Sequence, residues 1–301
     1  MRILVTGGSG FVGHHVVDEL KARGHDVYAP KSREMDCILM GDWMQAVGEI
    51  KPSVVVHLAA LCGGIGANMA RPADFWERNL RMGFNGIHLC AQYKAKLVLL
   101  GTTCSYPKFA PIPFKEESLF AGYPEDTNAP YGVAKLALGV GLAAYEKQYG
   151  LKCAYLVPTN MYGEHDHFDL ENSHVIPAMI RKFIEAKKTG QSVTLWGDGT
   201  PTRDFLYAGD CANAIAAACE RETTSEPINL GSGIEVKMSD LAWTISDAVG
   251  YRGVVNWDTS KPNGQPRRCL DTSRAKERLG WSATTSLFDG LKRTVEWYVS
   301  R

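Results

Sequence analysis

Short runs of β-branched and aliphatic residues alternate with longer stretches whose apolar positions recur at helical spacing. Residues 2–6 (RILVT) read as a strand. Residues 11–22 follow with Val12, Val16, Val17 and Leu20 on one side of a helix. Residues 26–29, 53–58, 97–100 and 152–157 read as further strands, and 41–50, 74–93 and 132–149 as helices. The run VVVHL at 54–58 is apolar almost throughout, which suits a strand buried on both faces. Repeated strand–helix–strand units predict an α/β chain with a Rossmann-type, doubly wound parallel sheet. Beyond Pro158 the pattern becomes irregular. Helices are expected at 175–186, 210–219 and 288–299, and apolar Leu195 and Trp196 precede the turn-rich GDGTPTRD. This half reads as a smaller, mixed α/β lobe.

Composition narrows the classes. The 301 residues are 45% apolar and 22% charged, which excludes collagenous, low-complexity and disordered chains. Lys and Arg together number 33, as do Asp and Glu, so bulk charge attracts neither nucleic acid nor an anionic membrane. Any anionic ligand must be held by local groups. No apolar run approaches the ~18 residues of a membrane span. The start MRILVTGGSG breaks into glycines too early for a signal peptide, and a cytoplasmic protein is expected. Eight cysteines are scattered without a CxxC pair, so reduced thiols are expected rather than a disulfide framework or zinc site.

Gly7, Gly10 and Gly13 follow the first strand and open the first helix, and Gly8 completes GxGxxG. In that context the pattern is a dinucleotide fingerprint. Glycines let the backbone approach a pyrophosphate, and the helix N-terminus at Phe11 and Val12 favours negative charge. The second strand runs into Tyr28, Ala29 and Pro30 without a terminal carboxylate; Asp26 stands at its wrong end. Lys31 and Arg33 follow and suit a ribose 2′-phosphate, so NADP is expected over NAD. Residues 1–158 with about 205–222 are then the NADP-binding domain, and about 159–204 with 223–301 the substrate lobe.

Tyr131 and Lys135 form YxxxK at the start of an expected helix, a spacing that puts both on one face. A nearby ammonium lowers a tyrosine pKa and makes it a better acid or base. Behind a dinucleotide fingerprint, the pair resembles the extended short-chain dehydrogenase/reductase superfamily. The segments AALCGGIGAN (59–68), GTTCSYPK (101–108), NAPYGVAK (128–135), PTNMYGEHDHF (158–168), NSHVIPAMIRKF (172–183), LWGDGTPTRDFL (195–206) and KPNGQPRR (261–268) resemble the GDP-L-fucose synthase family nearly end to end.

That resemblance implies an NADPH-dependent epimerase-reductase acting on GDP-4-keto-6-deoxy-D-mannose. It makes Cys104 and His174 the base and acid that invert the carbons beside the ketone. Thr102 and Tyr131 would hold the carbonyl oxygen, and Lys135 the nicotinamide ribose. Pro158 and Asn160 would border the cofactor. Thr103, Asn160, His174, Val175, Arg181, Trp196, Arg203 and Arg268 would contact the GDP-sugar, with Asp271 ordering the last segment. Taken alone, Cys104 reads as a core cysteine at a strand end and His174 as a capping residue; the motifs lend them chemistry. The resemblance also implies a homodimer through a four-helix bundle of helices 74–93 and 132–149, which carry Met82, Ala134, Leu138, Gly141 and Ala144.

Several positions depart from the family. Thr102 replaces a serine, Arg268 a lysine, Ser9 an arginine found in some members, and Glu164 a proline. With Cys62, these leave open a sister enzyme acting on another GDP-4-keto-6-deoxy sugar, such as a heptose. A non-catalytic NADP sensor is a different class, and such proteins generally lack the tyrosine–lysine pair present here. Glu164, His165, Asp166 and His167 are good ligand types but lack a recognised metal spacing, and no metal is expected.

Overall fold

The computed structural model describes residues 1–169, 173–261 and 263–301. Asn172 and Pro262, which fall in two of the matched segments, lie outside the described residues. Strands β1 (Arg2–Thr6), β2 (Asp26–Tyr28), β3 (Val54–His57), β4 (Lys96–Leu100) and β5 (Cys153–Pro158) come from the first half. The second half supplies β6 (Asn160–Tyr162), β7 (Val193–Trp196), β8 (Thr202–Arg203), β9 (Phe205–Tyr207), β10 (Pro227–Leu230), β11 (Val236–Lys237) and β12 (Val255–Asp258). Six of these form one parallel sheet in the order β10-β5-β4-β3-β1-β2. Its register sets Thr6 beside His57 and Leu100 beside Leu156, so the carboxyl ends of the central strands reach one common edge. Doubly wound sheets bind ligands beyond that edge.

The helices are α1 (Phe11–Ala22), α2 (Met40–Ile50), α3 (Ile65–Ala70), α4 (Pro72–Tyr93), α5 (Ala129–Tyr149), α6 (Val175–Thr189), α7 (Ala208–Glu220), α8 (Met238–Val249), α9 (Ser273–Leu279) and α10 (Leu287–Val299). One sheet face buries Ile3, Val5 and Val56 under α1, α7 and α9 through Val16, Leu20, Ile215 and Leu279. The other buries Leu4, Val55 and Leu99 under α2, α4 and α5 through Trp43, Met82 and Leu142. A separate core joins α6, α8, α10 and β7 through Phe183, Ile245, Leu291 and Leu195.

The sequence boundaries placed 223–301 with the second lobe, but β10 extends the large sheet along β5 and Trp281 joins its core. β5 is buried along its whole length, so its outer edge needs a paired strand to satisfy its backbone groups. PINL is too short to announce that partner. α5 also starts three residues earlier than expected, with Pro130 in its first turn, which is where proline is tolerated. Tyr131 therefore sits at the very mouth of the helix.

Candidate active site

At the turn after β1, Gly7 has φ +72°, and a Cβ there would lie 2.7 Å from the Ala59 nitrogen. A Cβ on Gly13 would lie 2.2 Å from the Gly7 carbonyl oxygen. The glycines thus let the chain turn and let α1 pack against it. Gly10 caps α1, and among the described residues no side chain bonds the first-turn N–H groups, which include those of Phe11 and Val12. A helix mouth with free donors accepts a diphosphate, so the residues present fit a dinucleotide. Lys31 and Arg33 are exposed on the turn after β2, but they are not alone. Glu34 accepts from the Lys31 backbone N–H at 2.9 Å and lies 3.6 Å from the Arg33 guanidinium. That N–H bond first, then the Arg33 and Lys31 charges, hold its carboxyl below the usual range. The sequence reading overlooked this carboxylate because it lies past the strand.

The catalytic candidates meet where β4 ends against the first turn of α5. Thr102 heads a single 3-10 turn, Thr103–Ser105, and its Oγ1 accepts from the Cys104 N–H at 3.2 Å. Ser105 donates to the Gly132 carbonyl at 2.8 Å, and a Cβ on Gly132 would lie 2.3 Å from the Cys104 oxygen. This close approach brings Thr102 and Cys104 against Tyr131. The Tyr131 hydroxyl lies 3.4 Å from Cys62 Sγ and also bonds the Thr102 side chain. Lys135 is buried one turn on and donates to the Leu100 carbonyl at 3.1 Å. Asn128, the residue before α5, donates from Nδ2 to Cys104 Sγ at 3.2 Å.

The electrostatics correct one expectation. Lys135 was to lower the Tyr131 pKa, yet the phenol is held well above its ordinary value, by burial first and by Cys62 and Cys104 next. Burial also lowers Lys135. Without ligand, desolvation outweighs the ammonium, and Tyr131 keeps its proton at neutral pH. It is poised as a donor.

His174 is the exposed residue that heads α6. Its Nδ1 lies 3.8 Å from Asp166 Oδ1. Asp166 is buried, and its carboxylate raises the imidazole pKa. The four consecutive ligand-type residues at 164–167 separate in space. Glu164 accepts from the Tyr207 hydroxyl at 2.9 Å, His165 stacks on His14 at 4.1 Å, and Asp166 serves His174. Among the described residues no group of three or more His, Cys, Asp or Glu side chains is placed to hold a metal ion.

Asn160, Val175, Trp196, Pro201 and Arg203 line a cavity of about 210 Å³ in the second lobe. Arg203 donates to the Thr202 and Gln265 carbonyls, each at 2.7 Å. Burial first, then the like charge of Arg268, pushes its guanidinium down to about 10. Arg268 bonds the Gln265 side chain. Two guanidinium groups side by side, bonded to neutral oxygens, leave positive charge for an anion. Trp196 stands two-thirds exposed at the rim, with the Lys261 ammonium 5.8 Å above its ring. Asn160 is tied to the Asp204 carbonyl at 3.2 Å, and Pro158 ends β5 at the sheet edge.

Four of the expected contacts, Thr103, His174, Arg181 and Arg268, are not among the residues lining this cavity. Arg181 pairs with Glu185 at 2.7 Å along its own helix and with the Phe168 carbonyl at 3.2 Å, outside the lining. Thr103 is buried within its turn. The sequence reading missed Asn128 and the orienting role of Asp166. An asparagine just before a Pro-Tyr helix start was the available signal for the first.

Residues 3–231 match the model of the NAD dependent epimerase/dehydratase family, and the chain belongs to that family. It is 40% identical to GDP-L-fucose synthase 1 of Arabidopsis thaliana, over 99% of this chain and 93% of that protein. A solved GDP-6-OMe-4-keto-L-xylo-heptose reductase from C. jejuni superposes with a TM-score of 0.91 at 30% identity, over 99% of this chain and 97% of that one. A GDP-L-fucose synthetase from Naegleria fowleri bound to NADP superposes at 0.90 with 28% identity, over 99% and 94%.

Proposed function

We propose that this chain is an NADPH-dependent epimerase-reductase that converts GDP-4-keto-6-deoxy-D-mannose to GDP-L-fucose. The observation that carries the reading is the meeting of Thr102, Cys104 and Tyr131 at one strand end. The GDP-L-fucose synthase relative supports the substrate, and the NADP-bound neighbour supports the cofactor.

The ketone acidifies the protons on its two neighbouring carbons. Cys104 removes one, while Thr102 and Tyr131 hydrogen-bond the oxygen as it becomes an enolate. His174 returns a proton to the opposite face; Cys104 then gives its proton to water and His174 regains one, and the sequence repeats at the second carbon. A bound NADPH supplies the hydride that reduces the ketone. Tyr131 then gives its proton to the resulting alkoxide, with Lys135 held close by the Leu100 carbonyl. Gly7, Gly10, Gly13, Phe11 and Val12 hold the diphosphate of the cofactor, and Lys31 and Arg33 its 2′-phosphate. Arg203 and Arg268 hold the diphosphate of the sugar nucleotide.

The heptose reductase neighbour favours a second reading, in which the same chemistry acts on a larger GDP-4-keto sugar. A homodimer fits α4 and α5: Leu80, Phe84, Ala137, Gly141 and Tyr145 line an apolar groove of about 370 Å³. A cytoplasmic setting fits eight free cysteines, and among the described residues no helix is long and apolar enough to cross a membrane. One reaction in deuterated water tests the function. NADPH consumption with deuterium at both carbons beside the former ketone is expected. Consumption without deuterium would reduce the protein to a reductase, and turnover of the heptose substrate alone would favour the second reading.

A further inference from the structure

We infer that Asn128 is a positioning residue that holds the Cys104 sulfur as an anion during proton abstraction, a role that rests on the proposed reading of Cys104 as the base. The Asn128 amide donates to Sγ at 3.2 Å, and the residue is buried. Asparagine before a helix usually earns its place by capping, and here it makes no capping bond. Its Oδ1 is buried without a partner among the described residues. An orphaned acceptor costs free energy, so folding alone gives no reason to keep the amide there. Its one bond among the described residues goes to the sulfur.

A thiolate needs hydrogen-bond donors or a cation. The groups facing Cys104 are the Thr102 hydroxyl on its own turn, and Asn128, Tyr131 and Gly132 on α5 and just before it. Thr102 accepts from the Cys104 backbone, Tyr131 is occupied by Cys62 and Thr102, and Gly132 offers only backbone contact. Lys135 is turned to the Leu100 carbonyl. The amide is therefore the donor to the sulfur. An amide also suits a base that alternates between two states: Nδ2–H serves the thiolate, and a half-turn brings Oδ1 to accept from S–H. Asn128 lies three residues before Tyr131, so one stretch of backbone places both the base and the proton donor.

The test compares wild type, Asn128→Leu and Asn128→Asp. Leucine keeps the volume, and only Cys104 loses a side-chain partner, so the variant folds. Alkylation of Cys104 by iodoacetamide is followed across pH by mass spectrometry of the peptide 97–108, together with NADPH binding and deuterium uptake by the 4-keto substrate. In both variants alkylation at neutral pH should slow about tenfold, the size of one charge-assisted hydrogen bond, and recover at high pH. Deuterium uptake should slow in parallel while NADPH binding stays unchanged. Unchanged alkylation overturns the inference, as does slowed alkylation with unchanged deuterium uptake. A wild type that takes up no deuterium overturns the epimerase reading instead, and the alkylation profiles still judge Asn128.

Discussion

Arg203→Met should move stability and binding in opposite directions. The Arg203 guanidinium has its pKa pushed well below the ordinary arginine value, to about 10, by burial first and by Arg268 next. A shift of about 2.5 units corresponds to roughly 3 kcal/mol of unfavourable environment for the charge. The sign follows from proton linkage. Above about 10, up to the ordinary arginine value, the unfolded chain binds the proton more tightly, so this penalty is complete below pH 10 and fades as pH rises beyond it. Methionine removes the charge, and it also removes two bonds to the Thr202 and Gln265 carbonyls, worth about 1 kcal/mol each. The ligand-free variant should therefore gain about 1 kcal/mol, or roughly 2–4 °C in Tm. Binding goes the other way. Loss of a charge-assisted contact to a diphosphate should cost about 2–4 kcal/mol, roughly 30- to 1,000-fold in GDP affinity. Scanning calorimetry with and without GDP reads the first effect, and titration calorimetry at two salt concentrations reads the second. A variant that melts well below wild type yet binds GDP equally would refute the assignment of this pair to the anion.

Three further outcomes are expected. Glu34→Gln removes the carboxylate that shares the turn with Lys31 and Arg33, so the KM for NADPH should fall about two- to fivefold at low salt; an equal change with NADH would show that the 2′-phosphate is not read there. Asp166→Asn withdraws the carboxylate that raises the His174 pKa. The acid must be protonated, so deuterium uptake should decline at lower pH in this variant, and an unshifted profile speaks against His174 as the acid. Gly13→Ala places a Cβ 2.2 Å from the Gly7 oxygen and 2.7 Å from Gly8 backbone atoms; NADPH affinity measured by fluorescence should drop at least about tenfold with a loss of about 1–3 kcal/mol in stability, and native affinity would remove the glycine argument.

The strands were legible because parallel strands covered on both faces must be apolar along their length, as VVVHL is. The glycine turn and the Tyr131–Lys135 pair were legible because local backbone geometry demands them. β10 was not, since its reason for existing is the buried edge of β5, seventy residues away in the chain. The partners of the 164–167 run were not legible, because only the folded chain turns Glu164, His165 and Asp166 toward Tyr207, His14 and His174. Arg181 pairs with Glu185, one helical turn away, a partner the motif did not announce.

By itself, then, the sequence determined the doubly wound class, the dinucleotide mouth and the residue types of the chemistry, all of which rest on short-range spacing. Tertiary structure decided that, among the described residues, Arg203 and Arg268 bond neutral oxygens while Arg181 pairs with Glu185. It decided that Tyr131 holds its proton and that Asn128 meets Cys104. Protonation and pairing depend on burial and on neighbours distant in the chain, and only packing supplies those.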